Sequence, residues 1–336
     1  MLYRLSIIAW MTFLPLFLSA AAFSPYSQIE EQLEAFSPEQ KIWLETQGRA
    51  VSTLKDESRD KEKIKKTFKK IKLISQEIQK PISFGTKNKF IKNNRSTYCF
   101  PFDENRTGRH IPGFYLSASD IVTPEQYYII AQAPLSKTNR DFWRAILEYN
   151  SPLIVTIAMP IENGKQKCHD YWSEPHVPIT VNGWKIERSI PLSEDILATA
   201  GHCDHRVVKR IFRATHQKEN KQEERTITQI HYENWPDGDI PDSLLFDQLL
   251  KAVDDLKINK SSPIVVHCSA GIGRSGIFVA VHSLRKTIQK ARKWGQHGNT
   301  IVVNIPKALL GLRLQRKSLV GSSKQFAFIY QTLAKE

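Results

Sequence analysis

The sequence predicts an α/β protein: a highly twisted mixed β-sheet with helices on both faces, preceded by a helical N-terminal extension. Three observations carry this. Pro263-Ile264-Val265-Val266 reads as a short buried strand, followed by a glycine-rich loop and then a helix from Ile277 to Gln289. That helix sets Ile277, Ala280, Val281 and Leu284 on one face. Leu153 to Ile157, Val207 to Ala214 and Thr226 to Tyr232 are further strand candidates, all rich in β-branched residues. The chain has 336 residues, 41% hydrophobic and 24% charged, which suits one globular domain plus an extension.

The loop between strand and helix carries most of the chemistry. Val266-His267-Cys268-Ser269-Ala270-Gly271-Ile272-Gly273-Arg274-Ser275-Gly276 places a thiol at one end of a five-residue spacer and a guanidinium at the other. A strand, a glycine-rich loop and a helix start form an anion cradle, because successive backbone N–H groups converge and the helix N-terminus adds partial positive charge. Gly271 and Gly273 let the backbone approach the anion without a Cβ in the way. Cys268 in such a cradle loses its proton easily, and Arg274 can grip two oxygens of a phosphoryl group at once. Nucleophile and transition-state clamp are thus supplied together. Ser275 can donate a hydrogen bond to the sulfur and help it leave in a second step. A buried structural cysteine beside a surface arginine is the bland alternative, and it leaves the glycines and Ser275 without a reason.

At this point the chain resembles the classical, cysteine-dependent protein tyrosine phosphatase family of the C-x5-R type. His231-Tyr232-Glu233-Asn234-Trp235-Pro236-Asp237 resembles the family's mobile loop. Expelling a phenolate from phosphorus requires a proton donor, so the resemblance implies Asp237 as general acid, with Trp235 and Pro236 as hinge and stiffener. Tyr115-Leu116-Ser117-Ala118-Ser119 and Gln132-Ala133-Pro134-Leu135 match in the same order. Glu162-Asn163-Gly164-Lys165-Gln166-Lys167-Cys168 resembles the loop that braces the site. By that match Glu162 pairs with Arg274 and Lys167 sits near the closed acid loop, while His267 supports the cradle from the preceding strand. Val303 to Arg316 resembles the helix before the last active-site loop, and the match runs from about Phe84 to Leu333. The implied fold is a phosphatase-like twisted mixed sheet flanked by helices. The implied substrate-binding residues are Ser269, Ala270, Gly271, Ile272, Gly273 and Arg274, with Tyr98 and Gln325 beside them.

Three departures matter. Gly321 stands where the family places a glutamine that positions water; Gln325 matches a second family glutamine and can take part of that work. Slow hydrolysis of the cysteinyl-phosphate is the expected consequence. Ser96 falls where the family has a ring-packing tyrosine, and Tyr98, two residues on, is the candidate substitute. In Trp235-Pro236-Asp237-Gly238-Asp239 the glycine comes one place early, which alters the loop without removing the acid.

The formal net charge of +14 raises the question of nucleic acid or membrane binding. Much of it lies in residues 61–72, where seven lysines face one glutamate. Ile64, Phe68, Ile71 and Ile78 recur there at helical spacing, so this is a basic amphipathic helix. The expectation is that the apolar stripe packs on the catalytic domain and the lysines are solvated. A weak contact with an anionic membrane or acidic partner is the sharper alternative, and no nucleic acid is expected. Ser37-Pro38-Glu39-Gln40 is a helix start of the capping-box type.

Arg4, the apolar run Ile7 to Leu18 and Ser19-Ala20-Ala21-Ala22 read as a secretory signal peptide over residues 1–22, with an uncleaved membrane anchor over residues 5–23 as the alternative. The division expected is signal peptide 1–22, helical extension 23–80 and catalytic domain 81–336. Four cysteines make no disulfide framework in a chain this long, and Cys168 and Cys203 read as buried thiols beside Cys99 and Cys268. Export and an oxidisable thiolate are reconciled if the chain is an exported bacterial effector working inside another, reducing cell.

The leading reading is a phosphatase acting on phosphotyrosine-containing proteins with no cofactor and no metal. The ten histidines show no ligand spacing. A dual-specificity or phosphoinositide phosphatase is the second reading, although the Cys268–Arg274 spacer lacks the lysine that lipid phosphatases often use. A phosphotyrosine-binding module with slow turnover is the third.

Overall fold

A computed structural model describes residues 26–172, 178–189, 195–200, 205–219 and 221–336. Among these, nine strands form one mixed sheet. They are β1 (Ala118–Val122), β2 (Tyr127–Ala131), β3 (Leu153–Thr156), β4 (Ile179–Val181), β5 (Trp184–Arg188), β6 (Asp195–Ala200), β7 (His205–Lys218), β8 (Lys221–Glu233) and β9 (Ile264–His267). The order across the sheet is β1-β2-β9-β3-β8-β7-β5-β4, with β6 also paired to β7. The four central strands β2, β9, β3 and β8 are mutually parallel, and Val265 sits in register between Ile129 and Ile154. The flanking pairs are antiparallel.

Parallel strands covered on both faces read as unbroken apolar runs, and β2, β3 and β9 do so. Their period-2 alternation divides the core. Tyr128, Ile130, Leu153, Val155, Ile264 and Val266 face one cluster; Ile129, Ala131, Ile154 and Val265 face the other. Among the described residues, eight helices of eight or more residues frame the sheet: α1 (Tyr26–Glu34), α2 (Pro38–Glu45), α3 (Lys61–Gln76), α4 (Asn139–Glu148), α5 (Ser243–Asp255), α6 (Gly273–Lys293), α7 (Ile305–Gln315) and α8 (Ser323–Leu333). α4 covers the second face with Phe142, Trp143 and Ile146, and α5 to α8 cover the first.

The helices before residue 80 belong to that first core. Ile29, Leu33, Leu44, Ile64, Phe68, Ile71 and Ile74 join the same cluster as α6, α7 and α8. α2 opens with the capping box of Ser37 and Gln40, with Pro38 in its first turn. In α3 the buried stripe is Ile64, Phe68, Ile71 and Ile74; Ile78 lies beyond the helix and packs against the core only in part. Lys65, Lys66, Lys69 and Lys72 are exposed. Phe68 lies against Phe326 of α8 with ring centroids 5.5 Å apart. Ser75 Oγ accepts from Arg313 Nη1 at 3.1 Å, and Arg313 also donates to the carbonyls of Leu319 and Val320.

Two elements differ from expectation. α6 begins at Gly273, inside the loop, rather than at Ile277, so Arg274 and Ser275 stand in its first turn, where N–H groups have no intrahelical acceptor. β8 begins at Lys221 rather than Thr226, because it pairs with β7 along its whole length in a long antiparallel ribbon. Residues 1–22 and Cys203 lie outside the described residues. No helix among the described residues is long and apolar enough to cross a membrane.

Candidate active site

Four parallel strands end on one edge of the sheet, the edge at which open α/β sheets bind ligands. β9 delivers Cys268, β8 leads into Trp235 and Asp237, β3 leads toward Glu162, and β2 leads into Gln132 and Ala133. Backbone bonds tie these loops together: Ile157 N–H donates to the His267 carbonyl at 2.8 Å, and Ala133 N–H to that of Ser269 at 2.9 Å.

The cradle is held open from behind. Gly271 has φ +69°, and a Cβ there would lie 2.2 Å from the Ala131 carbonyl oxygen, so only glycine fits. Arg316, fully buried, donates from Nε to the Gly271 carbonyl at 2.8 Å and from Nη2 to the Ala270 carbonyl at 3.3 Å. Its Nη1 reaches Ser119 Oγ at 3.1 Å. With those carbonyls engaged by Arg316, the loop's N–H groups can turn the other way, and those of Ile272 and Ser275 bond the Cys268 sulfur.

Cys268 is buried at the foot of this bowl. Burial pushes its thiol up, but the Arg274 charge, the Ser275 hydroxyl and the N–H groups of Ser275 and Ile272 outweigh that and leave it below the ordinary thiol range. Cys168, equally buried but without such donors, is pushed up. Ser275 Oγ is buried without a hydrogen bond of ordinary geometry, which leaves it available to the sulfur. His267 is pushed down to about 3, first by burial, and is therefore neutral. It bonds Tyr171 Oη at 2.8 Å and Thr156 Oγ1 at 3.2 Å, fixing the end of β9.

Arg274 is aimed by three acceptors. Nη1 donates to Glu162 Oε1 and to the Trp235 carbonyl, both at 2.8 Å, and Nη2 to Asp237 Oδ1 at 3.2 Å. Its Nε is buried and makes no hydrogen bond, so one donor of the guanidinium is left uncommitted. Lys167 Nζ holds the other Asp237 oxygen at 2.7 Å. Sequence reading thus brought Cys268, Arg274, Ser275, Asp237, Glu162, Lys167, Trp235 and His267 to one place, and the structure assembles all of them.

Two other residues are placed less simply. Gln325 is buried against Gly273, with Nε2 3.2 Å from where a Cβ would stand, so it does border the bowl. Its amide is already engaged: Oε1 accepts from Gly321 N–H at 2.8 Å, and Nε2 donates to the Asp239 carbonyl at 3.4 Å. Tyr98 corrects an expectation. Tyr98 is 84% exposed, and its backbone N–H donates to Ser96 Oγ at 3.1 Å, so its ring is not packed into the protein around it.

Sequence reasoning missed Arg316 as the support of the cradle and Arg95 as the anchor of the 95–98 loop. Arg95 bonds the carbonyls of Ala133, Pro134 and Gln166 with its guanidinium. Neither has a local signal, since an arginine that ends up buried on carbonyls looks in sequence like any surface arginine.

A family model described as protein-tyrosine phosphatase matches residues 90–335. Tyrosine-protein phosphatase 2 of Dictyostelium discoideum is 36% identical over 209 residues, which cover 62% of this chain and 51% of that protein. Tyrosine-protein phosphatase non-receptor type 12 of Homo sapiens is 32% identical over 265 residues, covering 76% of this chain and 31% of that protein. The chain therefore spans about half or less of the length of these curated relatives. A solved structure concerning the PTPN18 fingerprint on distinct HER2 tyrosine phosphorylation sites superposes with a TM-score of 0.70 at 24% identity, over 81% of this chain and 94% of that one, and shows a shared fold. With most of its length matched, the chain belongs to the protein-tyrosine phosphatase family.

Proposed function

We propose that this chain hydrolyses phosphotyrosine in proteins through a cysteinyl-phosphate intermediate. The observation that carries the reading is the Cys268 thiol, held below its ordinary range in an amide-lined bowl and facing an arginine with one unpartnered donor. The Cys268 thiolate attacks phosphorus; the S–P bond forms as the bond to the phenolic oxygen breaks. Arg274 and the loop N–H groups carry the charge on the equatorial oxygens. Asp237 gives its proton to the leaving phenolate, for which it must first be protonated. A bound phosphoryl dianion works in that direction, because nearby negative charge raises a carboxyl pKa. In the second step water attacks phosphorus, Asp237 takes its proton, and the sulfur leaves as a thiolate aided by Ser275.

Cys268→Ser is expected to abolish phosphate release from a phosphotyrosine peptide; retained turnover would mean another nucleophile. Steady-state comparison of phosphotyrosine, phosphoserine and phosphoinositide substrates tests the specificity. A second reading, a binding module with slow turnover, is favoured by Gly321, which has no side chain to orient water, and by Gln325, whose amide is partly committed to the Gly321 N–H and the Asp239 carbonyl.

The remaining parts of the proposal concern the rest of the chain. Residues 1–22 direct export and are removed, which N-terminal sequencing of the mature protein tests, and residues 23–80 are a helical extension that completes the core of the catalytic domain of residues 81–336. The exposed lysines of α3 offer weak attraction to an anionic membrane or an acidic partner.

A further inference from the structure

The acid loop is fastened at a second point, away from Arg274. Lys324 Nζ lies 2.5 Å from Asp239 Oδ1, and the same oxygen accepts the Ile240 N–H at 2.6 Å. The Asp239 carbonyl meanwhile receives Trp235 Nε1 at 3.1 Å and Gln325 Nε2 at 3.4 Å. Residues 235–239 therefore close into a small ring, and neighbouring side chains of α8 hold its far side.

Lys324 stands in the first turn of α8, where a positive charge opposes the helix dipole and does nothing for the helix itself. The carboxylate it meets is two residues past Asp237, across Gly238, whose φ of +77° lets the chain reverse between the two aspartates. Asp237 thus hangs between two fixed points: the Trp235 carbonyl on Arg274, and Asp239 on Lys324.

We propose that the Lys324–Asp239 ion pair is a clasp that positions Asp237 over the cradle for proton donation. Lys324 and Asp239 are positioning residues here and touch no reacting atom. The inference rests on the phosphatase reading, with Asp237 as the acid. Half-exposed ion pairs are weak, so the clasp biases the loop toward the donating arrangement instead of locking it.

The test separates proton donation from everything else. Phenyl phosphate has a poor leaving group that needs the acid, whereas 4-nitrophenyl phosphate needs it little. Lys324→Met is expected to lower kcat/KM for phenyl phosphate by about twofold to fivefold and to lower that for 4-nitrophenyl phosphate less. Lys324→Arg should keep the wild-type ratio between the two esters, and K324D combined with D239K should restore it. Equal losses on both esters, no loss on either, or a charge swap that fails to recover the ratio would overturn the clasp. A wild-type protein that releases phosphate from neither ester would remove the phosphatase reading and the clasp together, an outcome plainly different from an active enzyme indifferent to Lys324.

Discussion

Lys167 Nζ lies 2.7 Å from Asp237 Oδ2, while Arg274 Nη2 takes the other oxygen of the same carboxylate at 3.2 Å. Burial pushes the Asp237 carboxyl up, but the Lys167 hydrogen bond and the two positive charges outweigh it and hold the group below the usual carboxylate range. A depressed folded pKa means that the pair's contribution to stability is present above the unfolded pKa and lost as pH falls through the folded one. With the Asp237 side chain 45% exposed, that contribution is small. The kinetic consequence is larger.

On the proposed mechanism Asp237 must be protonated in the free protein to act, so kcat/KM falls as pH rises through its pKa. Lys167→Met removes a cation that favours the ionised form. It should therefore move the high-pH limb of kcat/KM toward higher pH. A pH profile on phenyl phosphate checks this; a limb that stays put or moves down contradicts the assignment.

Cys268 and Cys168 are both buried, yet their thiols are pushed in opposite directions. Iodoacetate should alkylate Cys268 at a lower pH than an ordinary thiol needs and leave Cys168 untouched, as peptide mass mapping would show. Arg274→Ala removes the charge facing the sulfur, so alkylation should then require higher pH. Unchanged reactivity would place the source of the thiolate elsewhere.

Arg316→Met should spoil the bowl without touching its rim. Leaving the Ala270 and Gly271 carbonyls buried and unpaired costs about 1–3 kcal/mol each. Part of that is relieved if the carbonyls turn inward, which points oxygen at the incoming anion. Vanadate affinity should fall by about tenfold or more, with a lowered Tm. A variant that loses stability but binds vanadate normally would limit Arg316 to a structural role.

Gly321→Gln addresses the second chemical step. Gly321 offers no side chain, and Gln325 spends its carbonyl oxygen on the Gly321 N–H. A burst of phenol followed by slower turnover is expected from the wild-type chain. The substitution should raise the steady rate while leaving the burst rate unchanged, as measured by rapid mixing. Failure of the steady rate to rise would mean that another group orients the water.

What the sequence made legible was local. Cys268 and Arg274 are six positions apart in one loop, the box of Ser37 and Gln40 spans a single turn, and the stripe of α3 follows helical spacing. The Glu162–Arg274 pair joins residues 112 positions apart, and only the resemblance suggested it. In sequence Arg316 reads as the end of a helix, because its partners, Ala270 and Gly271, lie 46 and 45 positions earlier and carry no side-chain signal. The start of α6 was set too late for a related reason: the glycines read as loop, yet Gly273 opens the helix. Tyr98 is chosen by its nearness to Ser96 in the family register, and sequence alone does not say which way an exposed ring points.

The bonds from α3 toward the bowl bear on how this protein can be cut. Ser75 orients Arg313, Arg313 grips the Val320 carbonyl, and the Val320 N–H donates to the Ile272 carbonyl at 3.2 Å. A shortened chain starting at residue 81 would strip Phe68 from beneath Phe326 and Ser75 from Arg313, loosening the helix and the arginine that hold the loop bearing Val320. The stretch matched by the family begins at residue 90, but the smallest piece that keeps this buttress must reach back through the lysine-rich helix.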